Sequence, residues 1–250
     1  MPYQLNTSHP LFANIIECIG VQGGALVSLK TARTFNVDSG ASFVSGGAFG
    51  EALRTQVNGY SRKGASFTPT LSIDTYAQPN LTLLVVVNAI TAVGGSYSPL
   101  IGHTDPKTVG IGVSGGKALA LRSPLASPVI TGAQTVAGSS GHSLAVTRTG
   151  QTACALYVDG TPDGSAGPLT NNGFPVKANE IGGVHGAGSI AADIVWGFWF
   201  NKVLSQSELA AIHASLGPNN AISLITNSGS PLAFSGSIAN QNTAVGAVFA

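Results

Sequence analysis

Apolar residues in this chain fall into short runs separated by Gly, Pro, Ser and Asn clusters. "LTLLVVVNA", "VGIGV", "ALALRS", "HSLAVTRTG", "ACALYVDGT" and "DIVWGFWFN" each have strand length and composition, at the spacing of an all-β sandwich. In "ACALYVDG", Ala153, Ala155, Tyr157 and Asp159 share one face while Cys154, Leu156 and Val158 share the other. That period of two is what a strand covering a core requires. Asp159-Gly160 then supplies two residues that tolerate positive φ, which predicts a sharp hairpin turn or bulge. "LTLLVVVNAITAV", from Leu81 to Val93, is too continuous to alternate and reads as one or two buried strands.

One helix is marked. In "LSQSELAAIHASLGP", Ser205 is the N-cap and Glu208 stands three residues later, the reciprocal arrangement of a capping box. Leu209, Ile212 and Leu216 form one buried stripe, His213 lies off it, and Gly217-Pro218 ends the helix. "HPLFANIIECIG" fits either a strand or a short helix. No repeat with a period of about 20 to 50 residues is visible, which argues against propellers and solenoids. The simplest division is an N-terminal arm with a first strand over 1–35, a β-sandwich over 36–217 and an extension over 218–250.

Composition narrows the partners. Charged residues make up 8% of the chain and its formal net charge is +1. Basic residues are scattered from Lys30 to Lys202 without a cluster, so there is no electrostatic footprint for nucleic acid or an anionic membrane. The most apolar run falls short of the roughly 20 residues of a spanning helix. The N-terminus lacks the basic start and apolar core of a signal peptide, pointing to synthesis in the cytoplasm of a host cell. Cys18 and Cys154 sit among apolar neighbours and are expected to be free, buried thiols. From Asn219 to Ala250 there is no Lys, Arg, Asp, Glu or His.

Several segments taken together resemble a known family. "GHSLAVTRTGQTACALYVDGTPDGS", then "EIGG", then "ADIVWGFWFNKVLSQSELAAIHA" are similar in order and spacing to the laminin-G-like, concanavalin A-like lectin/glucanase superfamily. "GGAFGEALR", Gly46 to Arg54, resembles the family's segment before its first core strands, and "HPLFANIIECIG" resembles openings seen in tailed-phage virion members. The resemblance covers most of Ser8 to Leu216 and implies a two-sheet antiparallel jelly roll, with one short helix and flanking assembly arms. Because the fold hosts lectins, glycosidases and purely structural proteins, activity has to be argued from sites.

The candidate sites are sparse. A glycosidase of this superfamily needs two carboxylates set close together, and Glu17, Glu51, Glu180 and Glu208 lack the expected E-x-D-x-x-E spacing. Calcium candidates are Asp105, Asp163 and Asn171-Asn172, but all lie beside turn formers and no D-x-D-x-D run occurs. Asp159 reads as the hairpin aspartate of "YVDG". His103, His142 and His185 have no zinc-ligand spacing, no G-x-S-x-G elbow marks a serine nucleophile, and "GIGVSGG" lacks the ending of a phosphate loop. Trp196 and Phe198 should face one way and Trp199 the other, so at least one aromatic set is core; Tyr97 is the loop aromatic best suited to stack on a sugar.

These readings name no catalytic, metal or cofactor residue and predict no cofactor and no enzymatic activity. The resemblance to virion members implies a structural protein of a phage particle, in first place a capsid decoration (cement) protein. Its partners would be the major capsid protein and copies of itself, as a homo-oligomer and possibly a trimer. The alternative is a tail-fibre or baseplate carbohydrate-binding module for host-surface glycans. The charge-free ending suits strand addition to a neighbour's sheet edge, with the expectation that removing Asn219 to Ala250 leaves a folded sandwich but impairs oligomerisation or capsid attachment.

Overall fold

The computed structural model describes residues 3–57, 63–73, 79–94, 98–103, 110–122, 127–150, 153–166, 176–184, 188–216 and 224–227. With strands numbered in chain order, one sheet runs β15 (Thr161–Ala166), β14 (Ala153–Val158), β13 (His142–Thr149), β8 (Leu81–Gly94), β18 (Gly188–Phe200), β2 (Ile15–Gln22), β3 (Ala25–Ser28). It is extended to ten strands by β6 (Gly50–Arg54) and β17 (Gly183–Val184), both paired with β18, and by β5 (Ser42–Gly47), paired with β6. A seven-stranded sheet runs β12 (Ser127–Thr135), β11 (Lys117–Arg122), β10 (Gly110–Ser114), β9 (Ser98–Gly102), β16 (Val176–Ile181), β7 (Ala65–Ile73), β4 (Thr34–Val37). The strand ladders pair antiparallel throughout, and the expected two-sheet sandwich is what forms.

Between the sheets lies an aliphatic core. Leu81, Leu83, Val85 and Val87 of β8, Leu144 and Val146 of β13, and Cys154, Leu156 and Val158 of β14 point into it. Leu84, Val86 and Ala145 point to the other face of the ten-stranded sheet. The continuous apolar run is therefore one central strand covered on both sides, which removes any pressure to alternate. On β18 the pairing with β8 shifts between Ile194 and Trp196. Ile194 faces the inter-sheet core while Val195, Trp196, Phe198 and Phe200 all join the outer layer, and Trp199 returns to the inner one. Both aromatic sets are thus core.

The outer layer is closed by the helix and by both flanking segments. Helix α1 (Gln206–Ser215) has Ser205 as N-cap with the full capping box, and it buries Leu209 and Ile212 with Leu216 just beyond. Phe12–Asn14 form a single 3-10 turn that leads into β2, so "HPLFANIIECIG" is both turn and strand. β1 (Tyr3–Leu5) pairs with β19 (Ile225–Asn227) as a separate ribbon, and Leu5, Leu224 and Ile225 are buried in the outer layer. Residues from the expected arm, including the whole of β2, and from the expected extension thus enter the packing. Tyr3 meets Trp196 edge-on at 5.5 Å. The Trp196 ring in turn lies over Gly20, where an added Cβ would come within 1.7 Å of it.

Candidate functional site

The sequence candidates disperse over the structure. The four glutamates stand on β2, β6, β16 and α1. Glu17 is fully buried, and its carboxylate accepts from Cys18 N at 2.8 Å, Ser28 Oγ at 3.0 Å, Arg33 Nε at 2.7 Å and the Thr31 hydroxyl. Arg33 also donates to the Pro69 carbonyl, so this network ties β2 and the chain after β3 to the opposite sheet at β7. Glu51 accepts from Gly24 N at 3.1 Å. Glu208 carries the helix cap and an ion pair with Lys202. Burial works against the Glu208 charge, but the Lys202 and Ser205 contacts outweigh it and hold its carboxyl below the usual value.

Asp163 joins the two sheets at their edges. Its Oδ1 accepts from Ala133 N and Gln134 N on β12, each at 3.0 Å, while Oδ2 is buried without a hydrogen-bond partner. Asp105, Asn171, Asn172, His185 and Tyr97 lie outside the described residues. Among the described residues no group of three His, Cys, Asp or Glu is placed to hold a metal ion. Cys18 and Cys154 are free, buried thiols in different layers. Burial pushes the Cys154 thiol up to about 12 against the opposing charge of Arg148.

Two arrangements stand out that sequence reasoning missed. The first centres on Asp159, whose φ of 54° with 74° at Gly160 confirms the sharp turn. His142 Nδ1 lies 2.8 Å from Asp159 Oδ2, Ser143 N donates to Oδ1 at 2.8 Å, and His213 Nδ1 lies 3.4 Å from the same Oδ1. Burial opposes the Asp159 charge, but the bonds from His142 and the Ser143 amide and the field of both imidazoles outweigh it, holding the carboxyl below its ordinary value. Ser143 Oγ is 3.0 Å from that same His213 Nδ1. A hydrolytic triad needs acid and hydroxyl on opposite ring nitrogens; here they share one, and Ser143 is buried. The cluster is a clasp holding α1 on the β13–β14 hairpin. Asp159 is therefore more than a turn former, and His213 is half-buried in contact with Phe49 at 5.7 Å.

The second arrangement is an open cleft of about 640 Å³ between the β5–β6 hairpin, the end of β8 and β18. Arg54 and Asp193 stand directly opposite each other on β6 and β18. They form a bidentate pair, Nε to Oδ1 and Nη2 to Oδ2, both at 2.8 Å. Arg54 is 55% exposed and Asp193 12%, so the guanidinium faces the opening and the carboxylate backs it. Asn88 shapes the wall: Oδ1 accepts from Phe49 N and Nδ2 donates to Gly50 O, each at 2.8 Å. Gly47 packs against that amide, where a Cβ would lie 2.0 Å from Nδ2. Ser45, Thr91 and Ser139 add hydroxyls to the lining. Phe49, at the hairpin turn, is seated between Gly141 and His213, so the clasp and the cleft share a support.

The only sequence signal for either arrangement is that a charge inside an apolar strand, such as Asp193 before "IVWGFWF", demands a partner on burial. The partner itself lies 139 residues away.

No family model matches the chain, and no curated protein matches it. Solved structures do. The binding domain of Paraclostridial Mosquitocidal Protein 1 matches with a TM-score of 0.60 at 15% identity, covering 81% of this chain and 52% of that one. A structure of botulinum neurotoxin type C, whose cell entry is described as dependent on interaction with two ganglioside molecules, matches at 0.60 and 12% identity over 82% and 52%. A mutant Trypanosoma rangeli sialidase displaying trans-sialidase activity matches at 0.59 and 20% identity over 82% and 34%. The chain thus spans about half, or a third, of the length of these structures, and the likeness is one of fold: a two-sheet antiparallel jelly-roll β-sandwich.

Proposed function

We propose that the protein is a non-catalytic carbohydrate-binding module whose glycan site is the cleft at Arg54 and Asp193. The observation that carries this reading is the cleft itself. It has the size of a small-ligand site and a lining that mixes polar and apolar side chains, and it is built on strands with a clamped glycine-containing hairpin. Sandwiches of the same fold occur in a neurotoxin that depends on gangliosides and in a sialidase, which supports recognition of sugars by this scaffold. The dispersed glutamates and the shared nitrogen of the Ser143–His213 contact speak for binding without bond cleavage. A glycan array probed with the full chain tests the reading: saturable binding that a cleft-filling Ser139→Tyr variant loses is expected. Release of reducing ends from a bound glycan would replace it with an enzyme.

A second reading places the protein on a phage particle as a capsid decoration protein, bound to the major capsid protein and to copies of itself. It is favoured by the resemblance of "HPLFANIIECIG" to virion proteins and by the charge-free residues 219–250. Glycan binding is compatible with a virion location at a fibre or baseplate. Mass spectrometry of purified heads and tails separates the two, since the decoration reading requires the protein in heads.

A further inference from the structure

The Arg54–Asp193 pair says which glycans the cleft accepts. Among the described residues lining the cleft these two are the ionisable ones, and their charges cancel. An anionic sugar that bonds to the remaining edge of Arg54 gains no net counter-charge from the cleft, and it brings a second negative charge beside Asp193. The Asp193 carboxylate, only 12% exposed, is less screened by water than a surface group and repels a second anion held on the same guanidinium. An uncharged sugar meets no such repulsion.

The pair consumes Nε and Nη2 of the guanidinium, so Nη1 with its two N–H groups is the nitrogen outside it. Each Asp193 oxygen accepts one of those bonds and keeps a second lone pair. Donors and acceptors therefore sit side by side across two neighbouring strands, matching adjacent hydroxyls that each donate and accept. Ser45 and Ser139 are exposed hydroxyls of the same lining and can bond either way.

We infer that the cleft is a site for uncharged hexose-type sugars, recognised through a vicinal diol by the Arg54–Asp193 pair, and that it selects against sialylated or sulfated glycans. This rests on the carbohydrate-binding reading above. The specificity comes from an ion pair that is closed before the ligand arrives, so the guanidinium acts as a fork of hydrogen-bond donors and not as a free cation.

The experiment is an array of neutral, sialylated and sulfated glycans probed with the full chain, followed by calorimetry of the best binder at 50 and 500 mM NaCl. Expected are neutral binders with affinity unchanged within about twofold between the two salts, since no net charge is exchanged. Arg54→Gln and Asp193→Asn should each weaken binding by about tenfold or more through loss of one partner of a charge-assisted set. Ser139→Tyr, which leaves the ion pair intact, should abolish binding by occupying the cleft and guards against a folding defect in the other two. Preference for sialylated or sulfated glycans, with affinity falling steeply in salt, would overturn this inference and leave the carbohydrate-binding reading standing. No saturable binding to any glycan would overturn both.

Discussion

The two faces of the ten-stranded sheet are stabilised differently. Toward the seven-stranded sheet the side chains are mostly aliphatic, supplied by alternating positions of strands that pair along their length. On the other face Trp196, Phe198 and Phe200 form an aromatic file, with Phe198 and Phe200 stacked at 6.0 Å. That file is covered by α1, the 3-10 turn and the β1–β19 ribbon. The inner layer is a consequence of strand periodicity. The outer layer is assembled from the beginning and the end of the described chain and depends on a few specific contacts: Trp196 over Gly20, the Asp159 clasp and the Ser205 cap.

If that contrast is right, the outer layer fails at single points. Gly20→Val should have the largest effect, because Trp196 must abandon its seat. A loss of about 3–5 kcal/mol, the range for removing a buried tryptophan, is expected in urea denaturation. A valine tolerated at wild-type stability would show that the ring can move cheaply. Next comes the ribbon. A chain ending at Leu216 loses Leu224 and Ile225, which are 1% and 9% exposed, and should be about 3 kcal/mol less stable than one ending at Asn227. This sharpens the expectation that removing residues 219–250 leaves a folded sandwich: the inner layer persists, but part of the outer cover goes. Equal melting temperatures for the two chains would mean that the ribbon adds nothing.

Asp159→Asn keeps a residue suited to the positive φ while removing the charge, and should cost about 2 kcal/mol at neutral pH, as for a hydrogen bond to a charged group. The sign follows from the lowered folded value. Asp159 contributes stability that is whole above the unfolded carboxyl value of about 3.9 and is lost as pH falls through the lower folded value. The gap between wild type and variant should therefore be widest at neutral pH and close in acid, measured by denaturation across pH 2–7. A constant gap would assign the loss to something other than the charge. Ser205→Ala, which removes half of the capping box, is the mildest at about 1 kcal/mol by thermal melting.

Much of this architecture was legible in the chain. The strand runs, the Asp159-Gly160 turn and the Ser205–Glu208 cap are local features, set by side-chain periodicity, φ tolerance and hydrogen bonds three residues apart. Even the opposed directions of Phe198 and Trp199 followed from alternation. The functional features were not legible. Asp159 looked complete as a turn residue because its ring partners lie 17 and 54 residues away, and His213 lay off the helix's apolar stripe. Arg54 and Asp193 sat in separate motifs with nothing to join them. Among the earlier candidates for binding chemistry, Asp163 turned out to close the sandwich edge, a role that depends on which strand lies across from it.

The amino-acid sequence alone determined an all-β sandwich with one capped helix, since each of those elements is decided by neighbours within a few residues. It also determined that charge is scarce along the chain. Only the tertiary structure decided which ion meets which, that Tyr3–Leu5 and Ile225–Asn227 form one ribbon, and that a cleft opens beside Arg54 and Asp193. Those outcomes depend on strand order and on the register shift in β18, and strand order is a property of the whole chain that no local window encodes.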